Sequence, residues 1–285
     1  MTTALRIDAH LHLWDLGVSE YGWLGPEFGP LYASWSAEQA ERELGAAGID
    51  GAILMQAEDS HVDTQFMLDI ADAHDWVLGV VGWVQLDSTD SARRGLDAWS
   101  RHPKFRGIRH LLNNDPREGF LELAPVRASL AEVARRGFAF DVHDAWPRHL
   151  DQATNVARDL PELTLVLDHL GKPPRGRDEL ASWRTSITEF AAQPNTIGKL
   201  SSLRRPDAPY TVDAIREVFD LALDAFGTDR LMYGGDWPMS IPDGGYAPTW
   251  QVLSELIGEL SGPEQEAVLG GTATRVYNIH GPDDR

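Results

Sequence analysis

Eight short apolar runs, rich in Val, Ile, Leu and Phe, recur along the chain and are separated by longer stretches with helical spacing. The runs are "LRIDAHLHL" from Leu5, "GAILMQA" from Gly51, "VLGVVGWV" from Val77, "FRGIRHLL" from Phe105, "FAFDVHD" from Phe138, "LTLVLDHLG" from Leu163, "TIGKLSSL" from Thr196 and "RLMYGGDWP" from Arg230. This alternation is typical of parallel strands joined by crossover helices. Eight such units are the number that closes a (β/α)₈ barrel, so the sequence predicts an α/β barrel.

The segments between the runs carry signals for helix ends. Ser36 and Gln39 have the spacing of a capping box, and Gly48 follows as a left-handed stop. A later stretch places apolar residues at helical spacing along one face and ends at Gly227. That face consists of Ile215, Val218, Phe219, Ala222, Leu223 and Phe226.

The length of 285 residues suits one barrel domain, since barrels of about 250 residues are common as single units. No low-complexity linker divides the chain, so we expect one domain spanning residues 1–285. Two segments, 14–35 and 237–250, are long and rich in Gly, Pro and aromatic residues. Loops that follow barrel strands surround the active-site face, so these segments are predicted to cover the site.

Composition excludes several classes of function. The chain has 25 Lys and Arg against 44 Asp and Glu, a net charge of −19 that disfavours nucleic-acid and membrane-surface partners. It has no cysteine, which leaves His, Asp and Glu as the candidate metal ligands. The first residues lack a signal-peptide pattern and no stretch stays apolar for about 18 residues, so we expect a cytoplasmic protein. The sequence does not indicate an oligomeric state.

Polar residues stand at the ends of several predicted strands. His10 and His12 lie two residues apart and therefore share one face of the first strand. Alone, this pair is a weak signal, and two solvated or hydrogen-bonded histidines would be the preferred interpretation. Later runs end in His143, in Asp168 with His169, and in Asp236. Polar groups at the carboxyl ends of barrel strands are typical of catalytic sites, so their recurrence favours one shared site.

Five ordered motifs, "DAHLHLW", "RGIRH", "LDHLGKP", "GKLSSL" and "MYGGDWP", resemble those of the amidohydrolase superfamily. More narrowly, they are similar to its lactonase branch, which includes L-fuconolactonases, L-rhamnonolactonases and pyrone-dicarboxylate lactonases. The resemblance runs from Arg6 to Tyr277. It implies a distorted TIM barrel that hydrolyses, or less often decarboxylates, small carboxylated or sugar-derived molecules.

The resemblance also implies roles for individual residues. His10 and His12 would be metal ligands on the first strand, and Asp236 would both bind the metal and accept a proton from the attacking water. His169 would face the substrate carbonyl or the water. His143 departs from many sugar lactonases, and metal-dependent decarboxylases carry a metal-binding histidine there, so it raises the expectation of a bound ion.

Three imidazoles and one carboxylate suit a divalent ion, zinc or alternatively manganese, which lowers the pKa of bound water to about 7. The fourth strand offers Arg109 and His110 rather than a lysine that could be carboxylated, so we expect at most one ion. Operation without metal stays open, with the histidines polarising the carbonyl and Asp236 acting as base.

Further side chains are candidates for substrate binding. Gln56, Arg109 and Lys199 end strands and could bind an anionic substrate, although salt bridges at the barrel rim are a comparable interpretation. Trp14 and Trp237 follow strand ends, where an indole suits the apolar face of a sugar ring or a planar lactone. Tryptophan also commonly fills space under loops.

The sequence thus predicts a hydrolase that opens a small lactone, sugar-derived or carboxylated, by attack of metal- or Asp236-activated water. The alternative is a metal-dependent, non-oxidative decarboxylase of an aromatic or muconate-type acid, which His143 supports and the "LDHLGKP" and "GGDWP" contexts weaken. A third hypothesis is a barrel that binds a carboxylate ligand without catalysis. The sequence does not identify the lactone.

Overall fold

All eight predicted strands are present in a computed structural model of the chain, which describes residues 4–174, 177–204 and 209–279. The strands are β1 Ile7–Leu11, β2 Gly51–Met55, β3 Val77–Gly82, β4 Phe105–His110, β5 Ala139–Val142, β6 Leu165–Leu167, β7 Thr196–Leu200 and β8 Leu231–Tyr233. They form one sheet in chain order, and each neighbouring pair is parallel.

The sheet curls until its last strand meets its first. Leu11 and Trp237 form an isolated parallel bridge, His12 N donates to Trp237 O at 2.8 Å, and Asp236 N donates to His10 O at 2.8 Å. Closure of eight parallel strands confirms the predicted TIM-like (β/α)₈ barrel. It also brings residues 10–12 beside residues 236–237, which are more than 200 positions apart in the sequence.

Helices follow the strands and cover the outside of the barrel. They are α1 Ala37–Ala47, α2 His61–Ala73, α3 Thr89–Trp99, α4 Ala124–Arg135, α5 Leu150–Asp159, α6 Arg177–Ala191, α7 Val212–Phe226, α8 Tyr246–Ile257, α9 Gly262–Glu266 and α10 Thr272–Val276. None of them, within the ranges described above, is long and apolar enough to cross a membrane.

The predicted helix ends are confirmed. The Ser36 side chain accepts a hydrogen bond from Gln39 N while Ser36 N donates to Gln39 Oε1, and Gly48 stops α1 at a φ of +69°. Helix α7 buries Ile215, Phe219 and most of the predicted stripe, leaves Leu223 half-buried, and ends at Gly227. Its apolar face packs on the barrel, which is the main source of stability for an amphipathic helix.

The apolar core has two main layers. The larger lies between the sheet and the helices. The smaller fills the barrel itself with side chains from seven strands, among them Ile53 and Val166, and is joined by Tyr277 just after α10. Apolar packing at one end of the barrel leaves the carboxyl ends of the strands for polar groups.

Candidate active site

A cavity of about 280 Å³ opens at the carboxyl ends of the strands. Four of the predicted catalytic and metal-binding residues line it: His12, His143, His169 and Asp236. His10 lies beneath them and is completely buried. Five strand-end residues predicted from separate parts of the sequence are therefore brought to one place.

His10, His12 and Asp236 form a compact group of metal-type ligand atoms, which all lie within 4.8 Å of one another. His10 Nε2 and His12 Nε2 are 3.0 Å apart, and Asp236 Oδ1 lies 3.7 Å from the first and 3.5 Å from the second. All three residues are buried. Two imidazoles and a carboxylate held this closely have the chemistry of a zinc or manganese site.

Hydrogen bonds behind the two imidazoles indicate which nitrogens are free. His12 Nδ1 lies 2.9 Å from Met55 O, and a carbonyl only accepts, so Nδ1 carries the proton and Nε2 keeps a lone pair. His10 Nδ1 lies 3.2 Å from Asp168 Oδ1, which could accept its proton, and 3.3 Å from Lys199 Nζ, which can only donate, so these contacts allow either tautomer of His10. When both Nε2 atoms are unprotonated, their lone pairs face each other at 3.0 Å and repel unless a cation lies between them. Asp236 Oδ1 also lacks a hydrogen-bond partner among the described residues, so the group fits a bound divalent ion.

The pKa values of these three side chains are shifted in the directions that favour metal binding. Burial lowers the pKa of His10 and of His12, which keeps both imidazoles neutral at neutral pH. Burial also acts to raise the pKa of Asp236, but His169, His12 and His10 outweigh it and hold that pKa well below its usual range. Neutral imidazoles and an ionised carboxylate are the protonation states that metal binding requires.

His169 completes the group from the other side. Its Nδ1 lies 2.8 Å from Ser201 Oγ, its Nε2 lies 4.0 Å from Asp236 Oδ1, and its ring centroid is 4.4 Å from that of His10. Ser201 is completely buried on the strand-end segment that follows β7. The hydroxyl can donate to Nδ1, which leaves a proton on Nε2 that points toward the carboxylate side of the cavity.

Left-handed backbone at residues other than glycine is concentrated around the cavity. It occurs, with φ between +39° and +65°, at Asp144, His169, Leu170, Lys172, Ser202 and Asp236. Each such residue costs roughly 1–2 kcal/mol for an L-amino acid. Backbone strain of this kind persists where the surrounding structure holds a side chain in a required direction, and it is typical of functional sites.

A buried charged layer lies under the histidines. Lys199 Nζ is 3.0 Å from Asp141 Oδ2, 3.1 Å from Asp168 Oδ1 and 3.3 Å from His10 Nδ1. Tyr277 donates to Asp141 Oδ2 at 2.6 Å. Burial acts to raise the pKa of Asp168, but Lys199 and His10 hold it well below its usual range. The layer therefore fixes His10 from below.

Lys199 is not placed where a substrate could reach it. It is 0 % exposed and does not line the cavity. It is the penultimate residue of β7, two residues after Ile197 of the inner core, and its ammonium is held inside the barrel by Asp141 and Asp168. Gln56 is likewise fully buried beside the cavity, with its Nε2 donating to Asp59 Oδ1 at 3.0 Å. Substrate contact by these two side chains is not supported by their positions.

Arg109 reaches the cavity lining, although its guanidinium is already engaged. Its Nε donates to Asp168 Oδ2 at 2.8 Å, and its Nη1 donates to Gln56 O at 2.9 Å. Arg109 therefore forms a salt bridge at the barrel rim, which was one of its two interpretations. Direct substrate binding by Arg109 stays a prediction.

An aromatic wall faces the histidines. Trp14 lines the cavity and anchors its indole by donating from Nε1 to Ala33 O at 2.7 Å. Trp23 and Phe28, from the predicted covering segment 14–35, continue the wall with edge-on contacts. Trp237 instead packs edge-on against Trp35 and does not line the cavity. Trp23 and Phe28 were missed because only the loop, and not its side-chain directions, can be read from the sequence.

His143 lines the cavity but lies outside the ligand group of His10, His12 and Asp236. Its Nε2 is 3.5 Å from Asp144 Oδ2, and burial lowers its pKa to about 3. The structure does not place His143 with the candidate metal ligands, and metal binding by His143 stays a prediction.

Known proteins resemble the chain over nearly its whole length. A family model described as amidohydrolase matches residues 7–279. An L-fucono-1,5-lactonase of Burkholderia ambifaria is 33% identical, with 97% of each chain covered. An L-fucono-1,5-lactonase of Burkholderia multivorans is 32% identical, with 99% of this chain and 98% of that one covered.

A solved amidohydrolase structure has the same fold as this chain. The crystal structure of an amidohydrolase from Burkholderia multivorans with bound zinc has a TM-score of 0.90 and 32% identity, and the match covers 97% of this chain and 100% of that one. The similarity in fold therefore extends over nearly the whole chain.

Proposed function

This chain belongs to the amidohydrolase family, and we propose that within it the chain hydrolyses a small lactone by adding water to the ring carbonyl. The observation that carries the proposal is the convergence of one buried, ionised carboxylate, Asp236, with His10, His12 and His169 at the cavity. Full-length similarity to two lactonases supports the same reaction class. The lactone itself is not identified.

His10, His12 and Asp236 would hold the metal ion, zinc or manganese. Such an ion would lower the pKa of water at the site and polarise the substrate carbonyl.

The chain's own residues supply the proton transfers. The Asp236 carboxylate is buried and ionised, and it would accept a proton from the attacking water on the oxygen that does not hold the metal. His169, with Ser201 donating to its Nδ1, would donate from Nε2 to the oxyanion that develops on the carbonyl oxygen. Protonated Asp236 would then give its proton to the leaving ring oxygen.

Replacing Ser201 with Ala tests the role of His169. We expect kcat to fall roughly ten- to hundredfold with little change in KM, since the imidazole loses the contact that fixes its tautomer. Steady-state kinetics on a lactone that the wild type opens measures this. Ser129→Ala is the matched control, because Ser129 is another buried serine whose hydroxyl donates to Leu86 O, away from the cavity. Unchanged kcat in Ser201→Ala would remove the Ser201–His169 pair from the proposed chemistry.

A panel of lactones and aromatic acids tests the reaction class. Lactone opening releases a proton that a pH indicator detects, whereas decarboxylation releases CO₂, and both are recorded on protein of known metal content with and without chelator. We expect proton release from at least one small lactone and no CO₂. The decarboxylase alternative, which the cavity-lining position of His143 favours, would give CO₂ from an aromatic or muconate-type acid. Bound metal with neither product would indicate a binding protein.

A further inference from the structure

Three cationic side chains line the cavity, and each is already paired with a carboxylate. The distances are 2.8 Å for Arg109–Asp168, 2.6 Å for Lys172–Asp144 and 3.4 Å for Arg204–Asp243. The charge that a carboxylated substrate would need is therefore neutralised within the protein. These three ion pairs can therefore determine whether the cavity prefers an uncharged lactone or a carboxylated one.

The Lys172–Asp144 pair differs from the other two. Asp144 lines the cavity together with Lys172, whereas Asp168 and Asp243 stand behind their arginines and do not line it. A ligand in the cavity consequently meets the negative member of this pair as well as the positive one. Asp144 is thus the carboxylate, besides Asp236, that an incoming anion would approach.

The fold holds Asp144 in this position. Its backbone is left-handed, with a φ of +39°, and Lys172 is held the same way at +65°. The Asp144 side chain is 6% exposed, against 51% for Lys172. Burial acts to raise the pKa of Asp144, but His143 and Lys172 outweigh it and hold that pKa well below its usual range. The carboxylate therefore stays ionised at neutral pH.

The geometry points to Asp144 as a specificity-determining residue that masks Lys172 and excludes lactones bearing a carboxylate. This inference rests on the proposed lactone hydrolysis and narrows its substrate to uncharged, hydroxylated rings. Juxtaposed like charges are unfavourable, and this repulsion is a common means of rejecting a wrong ligand. Without Asp144, the ammonium of Lys172 is left to pair with the substrate.

The Asp144→Asn variant tests the inference with a matched pair of probes. D-Glucono-1,4-lactone and D-glucaro-1,4-lactone differ in whether the last carbon is an alcohol or a carboxylate. We expect wild-type kcat/KM to favour the uncharged lactone by about a hundredfold or more, and Asp144→Asn to reduce that ratio at least about tenfold. The double variant Asp144→Asn/Lys172→Met removes the unmasked cation, so its ratio should return toward the wild-type value.

Binding of the two ring-opened acids, which carry one carboxylate in gluconate and two in glucarate, tests the same terminal group without turnover. Titration calorimetry with gluconate and glucarate should show weaker glucarate binding to the wild type, and Asp144→Asn should narrow that gap while Lys172→Met does not. Circular dichroism and thermal unfolding establish that each variant is folded. An unchanged glucarate-to-gluconate ratio in folded Asp144→Asn would overturn the inference. Failure of the wild type to open any lactone would instead count against the proposed function, and the binding ratio would still decide the role of Asp144.

Discussion

Replacing Asp236 with Asn is expected to lower kcat/KM for lactone opening by at least about a thousandfold. General base catalysis contributes typically about 10²–10⁴-fold, and asparagine cannot accept the proton of the attacking water. Asparagine has the same size as aspartate and tolerates the left-handed backbone, with a φ of +50°, at this position. The loss of activity should therefore come without loss of the fold.

The measurement is steady-state hydrolysis together with thermal unfolding. Asp151→Asn is the control, because Asp151 is an exposed aspartate on α5 that does not line the cavity. We expect it to retain wild-type kcat/KM. Turnover by Asp236→Asn within tenfold of the wild type would show that Asp236 is not the base.

Replacing Lys199 with Met is expected to destabilise the protein by about 3–5 kcal/mol. The change leaves Asp141 and Asp168 in the barrel without the ammonium that neutralises them, and breaking a buried ion pair from one side has a cost of this size. Methionine has a similar length, so the lost volume is small and the charge effect dominates. Urea unfolding measures the difference.

The stability that Lys199→Met loses should decrease as the pH is lowered. Burial raises the pKa of Asp141 from 3.8 to about 6 in the wild type, so the folded state binds this proton more tightly than the unfolded chain does. Without Lys199 that pKa rises further. The deficit of Lys199→Met should accordingly be largest near pH 8 and shrink as the pH falls toward 5.

A double variant separates charge from packing. Asp141→Asn removes one of the two carboxylates that lose the Lys199 ammonium, and an amide oxygen can still accept from Tyr277. Lys199→Met/Asp141→Asn should therefore recover a substantial part of the lost stability. If Lys199→Met lowers the free energy of unfolding by less than about 1 kcal/mol at both pH values, the Lys199 ion pairs do not stabilise the protein as proposed.

Local patterns in the sequence were sufficient for the strands and for which residues stand at their ends. Period-two alternation placed His10 and His12 on one face, and the apolar runs placed His169 and Asp236 just after strands. Parallel strands in one barrel bring their carboxyl ends together, so proximity followed from the fold class. That reasoning used only short-range spacing and the number of strands.

Depth within the barrel could not be predicted in the same way. Lys199 has the spacing of an inward-facing residue, but whether it reaches the cavity or lies beneath it depends on how β7 is staggered against β6 and β8. The direction of the Trp237 indole depends on the bridge to Leu11, which forms only when the barrel closes. The Lys172–Asp144 pair joins two loops whose left-handed residues carry no glycine signal. These features are set by long-range contacts and not by local sequence.

The most direct test of the central proposal follows the oxygen of the attacking water. A lactone that the enzyme opens is converted in water enriched in oxygen-18, under single-turnover conditions, and the hydroxy-acid product is examined by mass spectrometry. We expect one oxygen-18 in the carboxylate and none in the released hydroxyl, because water adds to the ring carbonyl. Label in the hydroxyl, or formation of CO₂ in place of the hydroxy acid, would contradict the proposed reaction.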